Sequence, residues 1–99
     1  MINKSKSKTD IVIQILEAVN DYEEVNNYEN GEEKGITLTT LMNSVSLGNT
    51  PIEQYLMSLV EDDLLNYDSD TQTFRITEKG LALLQGYKKI DQALKEKQI

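Results

Sequence analysis

The sequence predicts an α+β domain, mainly α, in the order helix, strand, helix, turn, helix, β-hairpin and long C-terminal helix. Three observations predict it. Apolar residues recur at three- and four-residue spacing in separate stretches, the period of half-buried helices. Near the C-terminal third, residues 64–67 and 73–77 are strand formers flanking the polar run Asp68, Ser69, Asp70, Thr71 and Gln72, the pattern of a hairpin. Finally, 99 residues at 38% hydrophobic content suffice for one core and not for two. The expected organisation is a flexible basic arm at 1–8 followed by a single domain at 9–99, with the last helix starting at about residue 78.

The first helix begins near Thr9, where Ile11, Ile15, Ala18 and Tyr22 form a stripe with Val12, Leu16 and Val19 beside it. Asp10 in its first turn complements the helix dipole. The pattern dissolves after Tyr22 into Asn26, Asn27, Asn30 and Gly31, so residues 23–35 are expected to be a long, solvated, acidic loop. Ile36, Thr37 and Leu38 read as a short strand, and Leu41, Met42 and Val45 place a short helix after it. Ser46, Leu47 and Gly48 make the turn. The next helix has Gly48 or Thr50 as its cap. Thr50 is preferred, because Pro51 would then hold the first helical position and Glu53 would complete a capping box.

In that third helix Ile52, Tyr55, Leu56, Leu59 and Val60 share one side, leaving Glu53, Gln54, Met57, Ser58 and Glu61 to look outward. Across the hairpin, Phe74 and Ile76 are expected to face the core and Arg75 to point out. Thr77 suits the N-cap of the last helix, with Glu78 in its first turn and Gly80 small enough for close packing. Leu81 and Leu84 should face the domain. Leu83, Tyr87, Ile90 and Leu94, spaced four, three and four, make the seam of a possible two-fold dimer, though packing on the domain is nearly as good a use for it.

Charge is distributed by position. Residues 9–74 hold fourteen acids against Lys34 alone, a net of −13, while the two ends carry +6, giving the overall −7. No cysteine or histidine is present, which removes thiolate chemistry and the commonest general base. No glycine-rich phosphate loop accompanies the scattered serines and threonines, so an enzyme is not expected. The acids do not make a calcium loop: counted from Asp68, Thr73 stands where a glycine is needed and Lys79 where a bidentate glutamate belongs. No metal or cofactor is expected. The longest early apolar run, from Ile11 to Leu16 and broken by Gln14, is too short to span a membrane, which with the missing cysteines suits a cytoplasmic protein.

The residues Leu41, Met42, Leu47, Tyr55, Leu56, Leu59, Leu64 and Leu65, followed by Ile76-Thr77-Glu78-Lys79-Gly80-Leu81 and Leu84, resemble the archaeal winged helix-turn-helix family of small DNA-binding proteins and transcriptional regulators. The resemblance covers most of residues 9–94. It implies duplex DNA as partner, the third helix as the recognition element, and, in some relatives, a last helix that pairs antiparallel with a second subunit. This chain differs from the family pattern in having Thr40, Ser44, Thr50, Glu53 and Gln54 where bases are frequent, and Asp63 where a glycine usually ends the recognition helix.

The candidate DNA contacts fall into two chemical groups. Asn49, Thr50 and Gln54, at the start of the third helix, can exchange hydrogen bonds with base edges, and Glu53 could accept from cytosine. Lys4, Lys6 and Lys8 in the arm, Arg75 on the hairpin and Lys79 at the start of the last helix could neutralise phosphates, with Lys88 and Lys89 further along. The rival reading takes the acidic middle, with Glu53 and Met57, as a surface for a basic protein partner.

Overall fold

The structure is a computed structural model and describes residues 7–30, 35–48 and 50–96. Its elements are α1 (Lys8–Asn30), β1 (Ile36–Thr37), α2 (Leu38–Ser44), α3 (Ile52–Glu61), β2 (Leu65–Asp68), β3 (Thr73–Ile76) and α4 (Glu78–Glu96). The three strands form an antiparallel sheet in the order β1-β3-β2, with Ile36 opposite Phe74 and Tyr67 opposite Phe74 on the other side. The expected order of elements is therefore present, and the short strand joins the hairpin as its third member.

The core explains the burial of α1. Ile11, Ile15, Leu16 and Val19 lie in it as their spacing requires, but Ile13 is also buried, at 8% exposure. Val12 and Ile13 meet Leu83 and Tyr87 of α4 on one side, while the sheet and α2 take the other. A helix packed on both sides must be apolar on both sides, and a single stripe understates it. Into the same core come Ile36, Leu41, Leu47, Leu65 and Leu84, with Ile52, Leu56 and Leu59 from α3.

α1 overruns its expected end by two turns. Residues 23–30 continue the helix, so the acidic loop expected at 23–35 is corrected for those positions, and residues 31–34 lie outside the described ones. The cause is tertiary. Glu23 follows Ile15 and Val19 at four-residue steps and is itself buried, at 8% exposure. Its Oε2 accepts the Ile76 backbone N–H at 2.6 Å, and its Oε1 lies 3.7 Å from Nε of Arg75. β1 pairs with β3 only at Thr73 and Phe74, so the carboxylate serves a donor on the β3 edge that β1 does not reach. Asn26 donates its side-chain amide to the Tyr22 carbonyl at 2.8 Å, staying inside the helix it was expected to end. At the other end Ser7 and Asp10 cap α1 reciprocally: the Asp10 N–H donates to Ser7 Oγ and the Ser7 N–H to Asp10 Oδ2. Lys8 thus belongs to the helix and not to the preceding arm.

The two ends of α3 diverge from and agree with expectation in turn. Thr50 does not cap it, since its hydroxyl donates back to the Leu47 carbonyl at 2.6 Å, and Pro51 occupies the cap with no side-chain hydrogen bond. The proline carbonyl accepts the N–H groups of Gln54 and Tyr55 instead. At the far end Asp63, standing where a glycine usually ends the recognition helix, adopts φ +64°, the left-handed conformation such a glycine takes. Asp63 N–H donates to the Val60 carbonyl and Leu64 N–H to that of Leu59, the paired bonds of a Schellman motif.

α4 starts as expected. Thr77 Oγ1 accepts the Gly80 N–H at 2.9 Å and donates to the Asp63 carbonyl at 2.7 Å. A Cβ on Gly80 would collide with the Leu64 carbonyl oxygen, so this glycine permits the close approach of α4 to the end of α3.

Candidate nucleic-acid interface

α2, the turn through Leu47 and Gly48, and α3 form a helix-turn-helix, with the β2–β3 hairpin beside α3. Leu47 anchors the turn in the core, and Gly48 takes φ +60°. This anchoring fixes which side of α3 faces out: Ile52, Leu56 and Leu59 are buried, while Glu53, Gln54, Met57, Ser58 and Glu61 are exposed, as their spacing requires. The outward face offers one amide and one hydroxyl for base edges, flanked by two carboxylates.

The candidate phosphate contacts are spread over several elements of the domain. Arg75 does not point away from the domain; it is drawn toward α1 by Glu23, and its side chain keeps 38% exposure. Lys79 is exposed but donates from Nζ to the Asp62 carbonyl at 3.1 Å, where it offsets the negative end of α3. Lys88 pairs with Glu17 of α1 at 3.1 Å. Lys8 is exposed at the start of α1 and lines a shallow pocket with Leu83 and Tyr87. Thr50 is half-buried with its proton committed to Leu47, so toward a base it can only accept. Gln54 is exposed, whereas Lys4, Lys6 and Asn49 lie outside the described residues.

Between α3, the start of α2 and the hairpin lies a groove of about 730 Å³. Its floor is Leu38, Leu56, Met57, Val60, Tyr67 and Phe74, and Glu53 and Glu61 stand among its walls. Met57 and Tyr67 are 65% and 46% exposed, and the Tyr67 ring rests against Phe74 with centroids 4.9 Å apart. The spacing along α3 places Met57 outward but does not encode the groove. The available signal was two aromatics at facing positions of a hairpin, Tyr67 and Phe74, beside the one large apolar residue on the outer face of α3.

On α4, Leu84 is buried, while Leu83, Ile90 and Leu94 remain 45%, 63% and 58% exposed. Tyr87 is half-buried among the residues packed on the core, and its hydroxyl lies 3.4 Å from Asp10 Oδ1. Of the four residues expected to make a dimer seam, Tyr87 contacts α1 of its own domain, Leu83 borders α1 while staying largely exposed, and Ile90 and Leu94 are open.

A helix-turn-helix followed by a hairpin beside its second helix, and by a helix folded back across α1, defines the winged-helix class. The chain matches the family model for the winged helix-turn-helix over residues 5–95 and belongs to that family. No curated protein and no solved structure gives a significant match. Among the described residues no helix is long and apolar enough to cross a membrane, and no group of three or more histidine, cysteine, aspartate or glutamate residues is placed to hold a metal ion.

Proposed function

We propose that this protein binds double-stranded DNA as a cytoplasmic transcription regulator, with α3 directed into the major groove. The observation that carries the reading is the exposed amide of Gln54, with Ser58 one turn on, on the second helix of a helix-turn-helix in a winged-helix chain. Asn49 and Thr50 precede α3 in the sequence. Because Glu53 and Glu61 repel phosphates, the attraction must come from outside α3: from Lys4, Lys6 and Lys8, from Lys79, and from the exposed part of Arg75. Binding is therefore modest in affinity and falls steeply with salt. Pairing of two copies through Leu83, Ile90 and Leu94, with Tyr87 at the margin, would present two α3 helices to one duplex.

The test is a titration of labelled duplex DNA, followed by fluorescence anisotropy, from low to physiological salt. Replacing Lys4, Lys6 and Lys8 by glutamine should reduce the slope of log affinity against log salt by up to about three, one for each phosphate that is no longer neutralised. Gln54→Ala should change preference among duplexes and leave the slope alone. Absence of binding at the lowest salt would overturn the proposal.

The acidic groove favours a second reading, contact with a basic protein partner. Among the described residues nothing cationic lines the groove, and its apolar floor has no counterpart on a phosphate backbone.

A further inference from the structure

We infer that the groove between α3, the start of α2 and the hairpin docks a protein segment in which an apolar anchor is bracketed by two cationic side chains. The inference deepens the second reading above by assigning it a place and a ligand pattern. Glu53, Met57 and Glu61 follow one another at four-residue steps along α3, and all three line the groove. Eight residues of helix rise about 12 Å, so the two carboxylates are set that far apart along the α3 wall of the groove with Met57 between them. An extended segment covers that distance in about four residues and a helical one in about eight.

The shape selects a segment over a small molecule. Ligand pockets enclose most of their ligand, whereas Met57 and Tyr67 leave this floor open to solvent along its length. Such a trough suits a chain laid along it with one side chain pressed between Tyr67 and Met57. Met57 is flexible enough to fit different anchors. Charge selects the flanks. Among the described residues no lysine or arginine lines the groove, and Asp68 and Asp70 add negative charge to the hairpin that supplies Tyr67, Thr71, Gln72 and Phe74 to it. A segment with acidic flanks would be repelled, and one with neutral flanks would leave both carboxylates unmatched. Glu53, Met57 and Glu61 belong to the same outward face as Gln54, so an occupied groove and α3 seated in DNA exclude each other.

The experiment displays random twelve-residue peptides to the immobilised full chain, then titrates the recovered sequences as fluorescein-labelled peptides by anisotropy. Recovered peptides should carry Lys or Arg on both sides of an apolar residue. Joint replacement by Glu53→Gln and Glu61→Gln should weaken binding about tenfold or more, and so should Tyr67→Ala in a variant whose circular dichroism is unchanged. Asp68→Asn with Asp70→Asn should leave the affinity within about twofold, as expected of rim charges. Recovery of peptides without cations, or affinities untouched by the groove substitutions, would overturn the inference. If affinity fell only with the hairpin aspartates, the acidic-face reading would stand and the groove would not. If no peptide were recovered, both would fall.

Discussion

Replacing Glu23 should cost more stability than replacing any other charged residue of α1, because its carboxylate joins the end of that helix to the sheet. At least two interactions disappear in Glu23→Ala. The bond from the Ile76 N–H, at 2.6 Å to a buried carboxylate, belongs to the charge-assisted kind worth about 1.5–3 kcal/mol. The Arg75 pair is longer, at 3.7 Å, and the arginine is 38% exposed, so solvent reduces it to about 0.5–1 kcal/mol. Alanine returns a few tenths of a kcal/mol in helix propensity. The net loss is about 2–4 kcal/mol, which in a domain of this size lowers Tm by roughly 10–30 °C. Glu23→Gln keeps an oxygen for the Ile76 N–H and should lose about 1 kcal/mol. Arg75→Ala should lose less than about 1 kcal/mol. Thermal and urea melts of the three variants and of the double alanine variant measure all these contributions. Equal, small losses for Glu23→Ala and Arg75→Ala, with Tm shifts of about 2 °C or less, would refute the reasoning and return residues 23–30 to the surface role their composition suggests.

Gly80→Ala should destabilise by about 2 kcal/mol or more despite the better helix propensity of alanine, because its methyl group meets the Leu64 carbonyl; a urea melt checks this. Asp63→Gly should raise stability by about 0.5–1 kcal/mol and Asp63→Val should lower it by about 1–2 kcal/mol, since the position holds φ +64°; paired thermal melts read the difference. Joint replacement of Leu83 and Ile90 by glutamate should convert a dimer to a monomer in sedimentation, and an unchanged mass would exclude α4 as the seam.

The sequence determines most of the architecture because the decisive signals are local. Thr77 ahead of Glu78 and Gly80 places the start of α4, Asp63 marks the end of α3, and the polar run 68–72 locates the hairpin. What escaped depends on distant groups. Residues 23–30 carry asparagines that favour turns in isolation, and partners on β3, among them the Ile76 N–H fifty-three positions away, accompany the burial of Glu23 in the helix. Thr50 offers the composition of an N-cap, yet the turn geometry around Gly48 brings the Leu47 carbonyl within reach of its hydroxyl first. Arg75 alternates with Phe74 and Ile76 along β3 as expected, but the carboxylate that meets it belongs to α1, which no spacing along β3 encodes. For the candidate site, periodicity identifies the exposed face of α3, including Gln54. The groove escaped because its floor is shared among α2, α3 and the hairpin, elements whose approach no spacing along the chain encodes.

The junction between α3 and α4 has a mechanical consequence. Thr77 holds the Asp63 carbonyl, Lys79 holds that of Asp62, and Gly80 lies against Leu64, so three successive residues at the foot of one rod are clasped by the head of the next. The two helices must tilt together, like the arms of a set square. A load applied along Leu83, Ile90 and Leu94 therefore reaches the foot of α3, and through it Gln54, by way of these contacts.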